Sequence, residues 1–212
     1  ALLTAITETL VSGTADPALP VRALTRASVP KPSVKTPAIS ANTRAPHTLA
    51  ELLDRQPVPD ATRPAIIDVT HRFPGYGEVL YHADVERLVR ILAWALRDRG
   101  LGPGDVVAKH LPRSCFDVIA TMALARVGAA FVNLDPADPP RRRERLIQRS
   151  GARTILTLRA DRPPRLPVRI AVVALDDPDL YRSRRVTEFE PRHRTRTLQL
   201  DDVAYLAFTS GT

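Results

Sequence analysis

The clearest periodic pattern in the chain lies between Ala83 and Arg99, where apolar residues recur at helical spacing. Counted from Val85, they stand at i, i+3, i+4, i+7 and i+11, and basic residues occupy the other side. Gly100 follows at the place where helices commonly end. The pattern predicts an amphipathic helix with one face on a core.

A second helix is predicted from Ser114 to about Val127. Its residues are apolar nearly all round, which indicates burial. Ser114 with Asp117 three residues later predicts a variant of the capping box at its start, and Gly128 predicts its end. Two shorter helices are expected, of which the second is strongly basic: His47–Gln56 and Pro139–Ser150.

Short apolar runs between these helices predict strands, and a Pro- and Gly-containing turn covers residues 73–77. Strands that alternate with helices at this spacing predict an α/β fold, a parallel sheet flanked by helices. The run Val168–Ala174, apolar except for Arg169, is typical of a strand buried on both faces. The predicted strands are Ala65–Asp68, Asp105–Lys109, Ala129–Leu134, Arg153–Thr157, Val168–Ala174 and Val203–Phe208.

The first 46 residues follow a different pattern. Ala1–Val11 has the spacing of a short amphipathic helix. Six prolines between Asp16 and Pro46 then exclude almost all regular structure, so we expect a semi-rigid extended linker. A domain boundary near residue 46 follows.

Composition narrows the class of protein. The chain has 212 residues, 44% of them hydrophobic, which is enough for the core of a globular domain. No apolar run approaches the ~18 residues of a membrane span, and the opening stretch lacks the basic start of a signal peptide. The single cysteine, Cys115, excludes an intrachain disulfide and a multi-cysteine zinc site. We expect a cytoplasmic protein in which Cys115 is a core residue.

The net charge of +8 is concentrated in one part of the chain. Residues 139–199 contain 16 Arg and 7 acidic residues, so they carry +9 and the remainder carries −1. Such an excess of basic residues makes nucleic acid a candidate partner. Aromatic residues are only 5% and no nucleic-acid-binding motif is present, so a solvated basic face at Arg141–Arg143 is the simpler expectation.

Candidate chemistry is concentrated at the end of the chain. The last apolar strand leads into Thr209, Ser210, Gly211 and Thr212, whose hydroxyl and backbone N–H groups could hold phosphate oxygens. On the residues alone, an ordinary Ser- and Thr-containing turn remains the alternative. The five histidines show no metal-ligand spacing, so no metal site is expected, and Trp94 is expected to serve in packing.

Several motifs, in one order, resemble those of adenylate-forming enzymes. The last ten residues resemble the first half of the family's phosphate-loop signature. Leu111–Ser114 and Ala125–Pro136 resemble core segments of amino-acid adenylation domains, with Asn133 in place of the usual proline. Residues 80–85 resemble the first core motif and depart from it at four positions: Tyr81, His82, Asp84 and Val85.

The resemblance implies a domain organisation. Residues 47–212 would be the N-terminal part of an adenylation domain, truncated at the phosphate-loop strand. The Asp135-Pro136 pair at the end of the segment Ala125–Pro136 favours a nonribosomal peptide synthetase over an acyl-CoA ligase. Residues 1–24 resemble the tail of a condensation domain, and residues 25–46 would be the proline-rich linker. We expect a fragment that is inactive and poorly soluble when expressed alone.

The resemblance also implies an activity for the parent enzyme in secondary-metabolite biosynthesis. It would join an amino acid to ATP with Mg²⁺ to give aminoacyl-AMP, then load phosphopantetheine on a carrier domain. Thr209, Ser210, Gly211 and Thr212 would bind the ATP phosphates, and no catalytic residue is assigned within the chain. Condensation and carrier domains are the expected partners, without nucleic acid or membrane. The alternatives are an acyl- or aryl-CoA ligase of the same superfamily and a basic nucleic-acid-binding module.

Overall fold

The computed structural model describes residues 48–54, 60–163, 166, 169–181 and 188–208. The predicted N-terminal helix and linker lie outside these residues, as do Thr209, Ser210, Gly211 and Thr212. The helices are α1 (Leu49–Asp54), α2 (His82–Arg97), α3 (Cys115–Val127) and α4 (Pro140–Ser150). The strands are β1 (Pro64–Ile67), β2 (Val79–Tyr81), β3 (Val106–His110), β4 (Ala130–Asn133), β5 (Thr154–Thr157), β6 (Ala171–Ala174) and β7 (Tyr205–Leu206).

Five strands form a parallel sheet in the order β6-β5-β3-β4-β7. β3 is central, and its Val107 pairs with Phe131 of β4 and Thr154 of β5. β1 and β2 form a separate antiparallel pair. Alternate residues of a strand face opposite sides of the sheet. Val107 therefore packs with α2 and α3, whereas Ala108 packs with Ile147 of α4. The predicted α/β fold with helices flanking a parallel sheet is confirmed.

α2 and α3 supply most of the core on their side of the sheet. The apolar stripe of α2 is buried, as its periodicity predicted, and most of α3 is buried between α2 and the strands. Arg126 of α3 joins the two helices, because its guanidinium donates to both carboxylate oxygens of Glu86 at 2.7 and 2.8 Å. Trp94 packs against Phe189 with ring centroids 5.1 Å apart, which confirms its packing role.

The capping box predicted at the start of α3 is wrong. Ser114 donates its hydroxyl to the carbonyl of Pro112, and Asp117 pairs with Lys109. The first N–H of the helix, from Cys115, donates instead to the carboxylate of Asp68 at 2.8 Å. An acceptor 47 residues away has replaced the local one, because the fold places the end of the β1 segment against the start of α3.

Two predicted strands differ from those observed. β6 begins at Ala171 and lies at the sheet edge, where Ala171 is exposed and Val172 only half-buried. For Ala171–Ala174 the predicted burial on both faces is therefore wrong, because among the described strands only β5 pairs with β6; Val168 lies outside the described residues. β7 is limited to Tyr205–Leu206, shorter than the predicted Val203–Phe208. In the part of the chain that the structure covers, no helix is long and apolar enough to cross a membrane.

Candidate functional site

The carboxyl edge of the parallel sheet is where the sequence predicts the site. Parallel strands end on a common edge, so β3, β4, β5 and β7 all deliver their last residues there. The register is fixed by Phe131 opposite Tyr205 and Val132 opposite Leu206. β7 therefore directs the chain toward this edge, and Phe208 is its last described residue.

The segment before β7 determines where that strand begins. The guanidinium of Arg196 donates to both carboxylate oxygens of Asp202 at 2.8 and 2.5 Å. Asp202 also accepts a hydrogen bond from the backbone N–H of Gln199. The hydrogen bonds from Arg196 and Gln199 lower the pKa of Asp202 to about 2. Leu198 packs on Gly128, which lies just before β4. The chain thus enters β7 from the amino edge of the sheet.

The four predicted phosphate-binding residues follow Phe208 directly in sequence: Thr209, Ser210, Gly211 and Thr212. They lie outside the described residues, so their assignment stays a prediction. Phe208 is half-buried, and the guanidinium of Arg149 in α4 lies 5.9 Å from the centroid of its ring. This contact links α4 to the strand that leads to the predicted site.

His110 ends β3 at the same edge, and its imidazole is buried. Burial lowers its pKa, and the nearby positive charge of Arg143 lowers it further. Arg143 belongs to the first turn of α4 and donates to the backbone carbonyls of Pro136 and Asp138. The neutral form of His110 is therefore favoured, and the arginine that contributes to this also holds the turn after β4.

Lys109 is a buried cation that the sequence analysis did not single out. Its side chain is 2% exposed, whereas that of its partner Asp117 is 36% exposed. The ammonium donates to Asp117 at 2.8 Å and to the hydroxyl of Thr121 at 2.6 Å, and lies 4.5 Å from the ring centroid of Phe131. The available signal in the sequence was a lysine that directly follows the apolar residues 106–108 of the predicted strand. Because these contacts already satisfy the ammonium, we do not assign Lys109 to phosphate.

Asp68 occupies the helix start that could otherwise attract an anion. Burial alone would raise the pKa of Asp68, but backbone N–H groups of Cys115, His71 and Thr70 together lower it to about 2. A carboxylate thus already fills the N-terminus of α3. The sequence held no local sign of this role, because Asp68 and α3 meet only in the tertiary fold.

Cys115 is the first residue of α3 and is 2% exposed. Burial and the neighbouring charge of Asp68 raise the pKa of its thiol to about 12. A thiol with that pKa stays protonated at neutral pH and is a poor nucleophile. The prediction of a core cysteine is confirmed. Among the described residues, no three His, Cys, Asp or Glu side chains form a group that could hold a metal ion.

Comparison with known families and proteins agrees with the architecture. The family described as AMP-binding enzyme matches residues 53–212. The chain is 36% identical over 169 residues to the probable non-canonical nonribosomal peptide synthetase CymA of Salinispora arenicola, covering 78% of the chain and 2% of that protein. It is 37% identical over 172 residues to novobiocin biosynthesis protein H of Streptomyces niveus, covering 77% and 27%.

Solved structures with the same fold belong to adenylation enzymes. The nonribosomal peptide synthetase FmoA3 superposes with a TM-score of 0.56 at 26% identity, over 73% of this chain and 15% of that one. The N-terminal subdomain of Klebsiella oxytoca NpsA superposes with a TM-score of 0.54 at 22% identity, over 70% and 34%, and shows the fold alone. Together with the family match over residues 53–212, these observations show that the chain belongs to the AMP-binding enzyme family and corresponds to the N-terminal part of an adenylation domain.

Proposed function

We propose that the chain is part of a nonribosomal peptide synthetase whose adenylation domain activates an amino acid with ATP. The relatives named above support this, as does Tyrocidine synthase 2 of Brevibacillus parabrevis at 36% identity over 121 residues. The chain spans between 2% and 27% of the length of the first two relatives, so the activity of the whole protein is part of the proposal. The proposal also includes a condensation-domain tail at residues 1–24 and a linker at residues 25–46.

The proposed reaction has two steps. A carboxylate oxygen of the amino acid attacks the α-phosphorus of ATP, the bond to the β-phosphate oxygen breaks, and pyrophosphate leaves. The thiol of phosphopantetheine on a carrier domain then attacks the acyl carbon, and AMP leaves with the former carboxylate oxygen. Mg²⁺ would neutralise phosphate charge in the first step. A carrier partner is supported by the artificially fused adenylation–PCP di-domain of Klebsiella oxytoca NpsA-ThdA, with which this chain shares its fold over 26% of that chain.

The chain's own part in this reaction is to hold the leaving pyrophosphate. Thr209, Ser210, Gly211 and Thr212 would donate hydroxyl and backbone N–H groups to the β- and γ-phosphates, which stabilises the charge that develops there. The observation that carries the assignment is the parallel pairing of β7 with β4. This pairing directs the segment before Thr209 to the carboxyl edge of the sheet, where sheets of this class bind ligands.

Pyrophosphate exchange into ATP tests the proposal in the full-length protein. We expect exchange that depends on one amino acid from a panel that also includes aryl acids. The double variant T209A/S210A should slow exchange at least about tenfold, because two donors to the leaving group are lost. Thr197→Ala is the matched control, since Thr197 is exposed before β7 and its hydroxyl has no partner among the described residues.

Three results would count against the proposal. Exchange with none of the acids would remove the adenylation activity. Thioester formation with free coenzyme A, and none with a carrier domain, would assign the protein to the acyl- or aryl-CoA ligases instead. Equal loss of exchange in T197A and T209A/S210A would show that the effect does not come from the phosphate loop.

A further inference from the structure

The outer face of α4 carries a row of arginines. Arg141, Arg145 and Arg149 are four residues apart, a spacing that places them on the same side of a helix. All three are exposed, and so is Arg153, which follows the end of the helix. Residues at this spacing lie about 6 Å apart along the axis, so they form a row of positive charge that is inclined to the helix axis.

Two other arginines of the same helix are already engaged in contacts within the fold. Arg143 donates to two backbone carbonyls, and Arg142 pairs with Asp138 at 3.2 Å. By contrast, no carboxylate of the described residues lies within 4.0 Å of Arg141, Arg145 or Arg153. Among the described residues, Arg149 contacts the ring of Phe208. The positive row is therefore available to an anionic partner.

The surroundings of the row favour a polypeptide over a nucleic acid. Glu144 is exposed on the same helix and would repel a phosphate backbone, which is negative along its whole length. A protein surface of mixed charge can match both signs. Single-stranded nucleic acids also bind through aromatic rings on which bases stack; α4 has none, and the ring of Phe208 beside Arg149 is half-buried. The exposed aromatic residues described in this structure, Tyr81 and Tyr205, belong to β2 and β7.

Guanidinium groups pair best with carboxylates, which they can bind through two parallel hydrogen bonds. Arg126 with Glu86 and Arg196 with Asp202 already do so within this molecule. A row of arginines at four-residue spacing is complementary to carboxylates at the same spacing on a second helix. We infer that the row Arg141–Arg145–Arg149 docks an acidic helical segment of a partner polypeptide.

The test measures binding of a designed peptide to the full-length protein. The probe is a fluorescent alanine-based helical peptide with glutamates every four residues, and the same peptide with glutamines is its control. The variant R141E/R145E is compared with R63E/R87E, which makes the same change in net charge. Arg63 and Arg87 are exposed and lie before β1 and on α2, away from α4.

We expect the glutamate peptide to bind, and R141E/R145E to weaken its affinity at least about tenfold at low salt. R63E/R87E should change the affinity no more than about twofold, because distant exposed charges are screened. R141Q/R145Q, which removes the charges without reversing them, should also weaken binding. Circular dichroism melting of each variant verifies that α4 remains folded.

Several outcomes would overturn the inference. Equal binding of the glutamate and glutamine peptides would contradict it. Equal weakening by the two charge-reversal variants would indicate attraction by net charge alone. Tighter binding of a short DNA duplex than of the peptide at equal salt, lost in R141E/R145E, would identify the row as a nucleic-acid site instead.

Discussion

At the scale of single residues, polar groups inside this fold are stabilised by partners that are distant in sequence. Asp68 accepts from the backbone of Cys115, 47 residues away, and Glu86 binds Arg126 across 40 residues. Partly buried polar groups of this kind cost free energy when a partner is lost, because the remaining group is unpaired and incompletely hydrated. Two of them, Asp68 and His110, also make stability depend on pH.

Replacing Asp68 with Asn should lower the free energy of unfolding at neutral pH by about 1–2 kcal/mol, because both carboxylate oxygens accept backbone N–H groups and an uncharged amide keeps only one acceptor. The folded-state pKa of Asp68, about 2, lies below its ordinary value of 3.8. Its stabilisation is therefore fully present above the ordinary value and is lost as pH falls through the folded one. Urea denaturation at a series of pH values should show this acid loss in the parent chain and a smaller loss in the variant.

Asp201→Asn is the control for this prediction, because Asp201 is exposed and no hydrogen bond to its side chain is found in the described region. That variant should change stability by no more than about 0.5 kcal/mol. If Asp68→Asn is equally mild, the carboxylate does not cap α3.

Protonation of His110 should destabilise the fold. Its pKa lies below the ordinary 6.5 because of burial and of Arg143 on α4; the carbonyl of Leu134 and the charge of Asp161 oppose the shift. The neutral form is favoured in the folded state, so the stabilisation is present above the ordinary pKa and is lost as pH falls below it. His110→Leu should reduce the slope of stability against pH between about 7 and 5. An unchanged slope would contradict this, and His82→Gln at the start of α2 is the control.

At the scale of elements, α3 and α4 both end on a glycine in the left-handed region. Gly128 has φ +83° and Gly151 has φ +70°. The two sites differ in their surroundings. A Cβ on Gly128 would lie 2.9 Å from Cγ of Pro103 and 3.0 Å from Cδ1 of Leu198, whereas a Cβ on Gly151 would meet no atom within 4 Å. The end of α3 is therefore also a packing site for the segment that leads to β7.

This difference predicts unequal effects of the same substitution. Gly151→Ala should cost about 1 kcal/mol, from the backbone alone. Gly128→Ala should cost about 2–4 kcal/mol, because overpacking is added to the backbone strain. Thermal unfolding measures both, and hydrogen exchange should show faster opening of residues 198–206 only in Gly128→Ala. Equal costs would mean that Leu198 does not dock tightly on Gly128.

At the scale of the whole molecule, helices and strands were predictable where the sequence pattern that indicates them is local. The apolar stripe of α2, the burial of α3 and the alternation of strands and helices all depend on residues within a few turns of each other. The resemblance of the last ten residues identified the family and the candidate phosphate loop. Its residues lie beyond Phe208, so β7 supports their placement only through its direction.

What the sequence could not predict depends on tertiary contacts. Strand order places β6 at the edge, which exposes Ala171 despite the apolar run around it. The cap of α3 comes from Asp68 because two distant segments meet, and Ser114 is engaged elsewhere. Lys109 is buried because Asp117 and Thr121 of α3 stand one turn apart and face it.

The most direct test of the proposed function is a crystal structure of the full-length protein with a non-hydrolysable ATP analogue and Mg²⁺. The triphosphate should lie at the carboxyl edge, with its β- and γ-phosphates against the hydroxyl and backbone N–H groups of Thr209, Ser210, Gly211 and Thr212. A triphosphate bound elsewhere, with these residues free of it, would contradict the assignment of the phosphate loop.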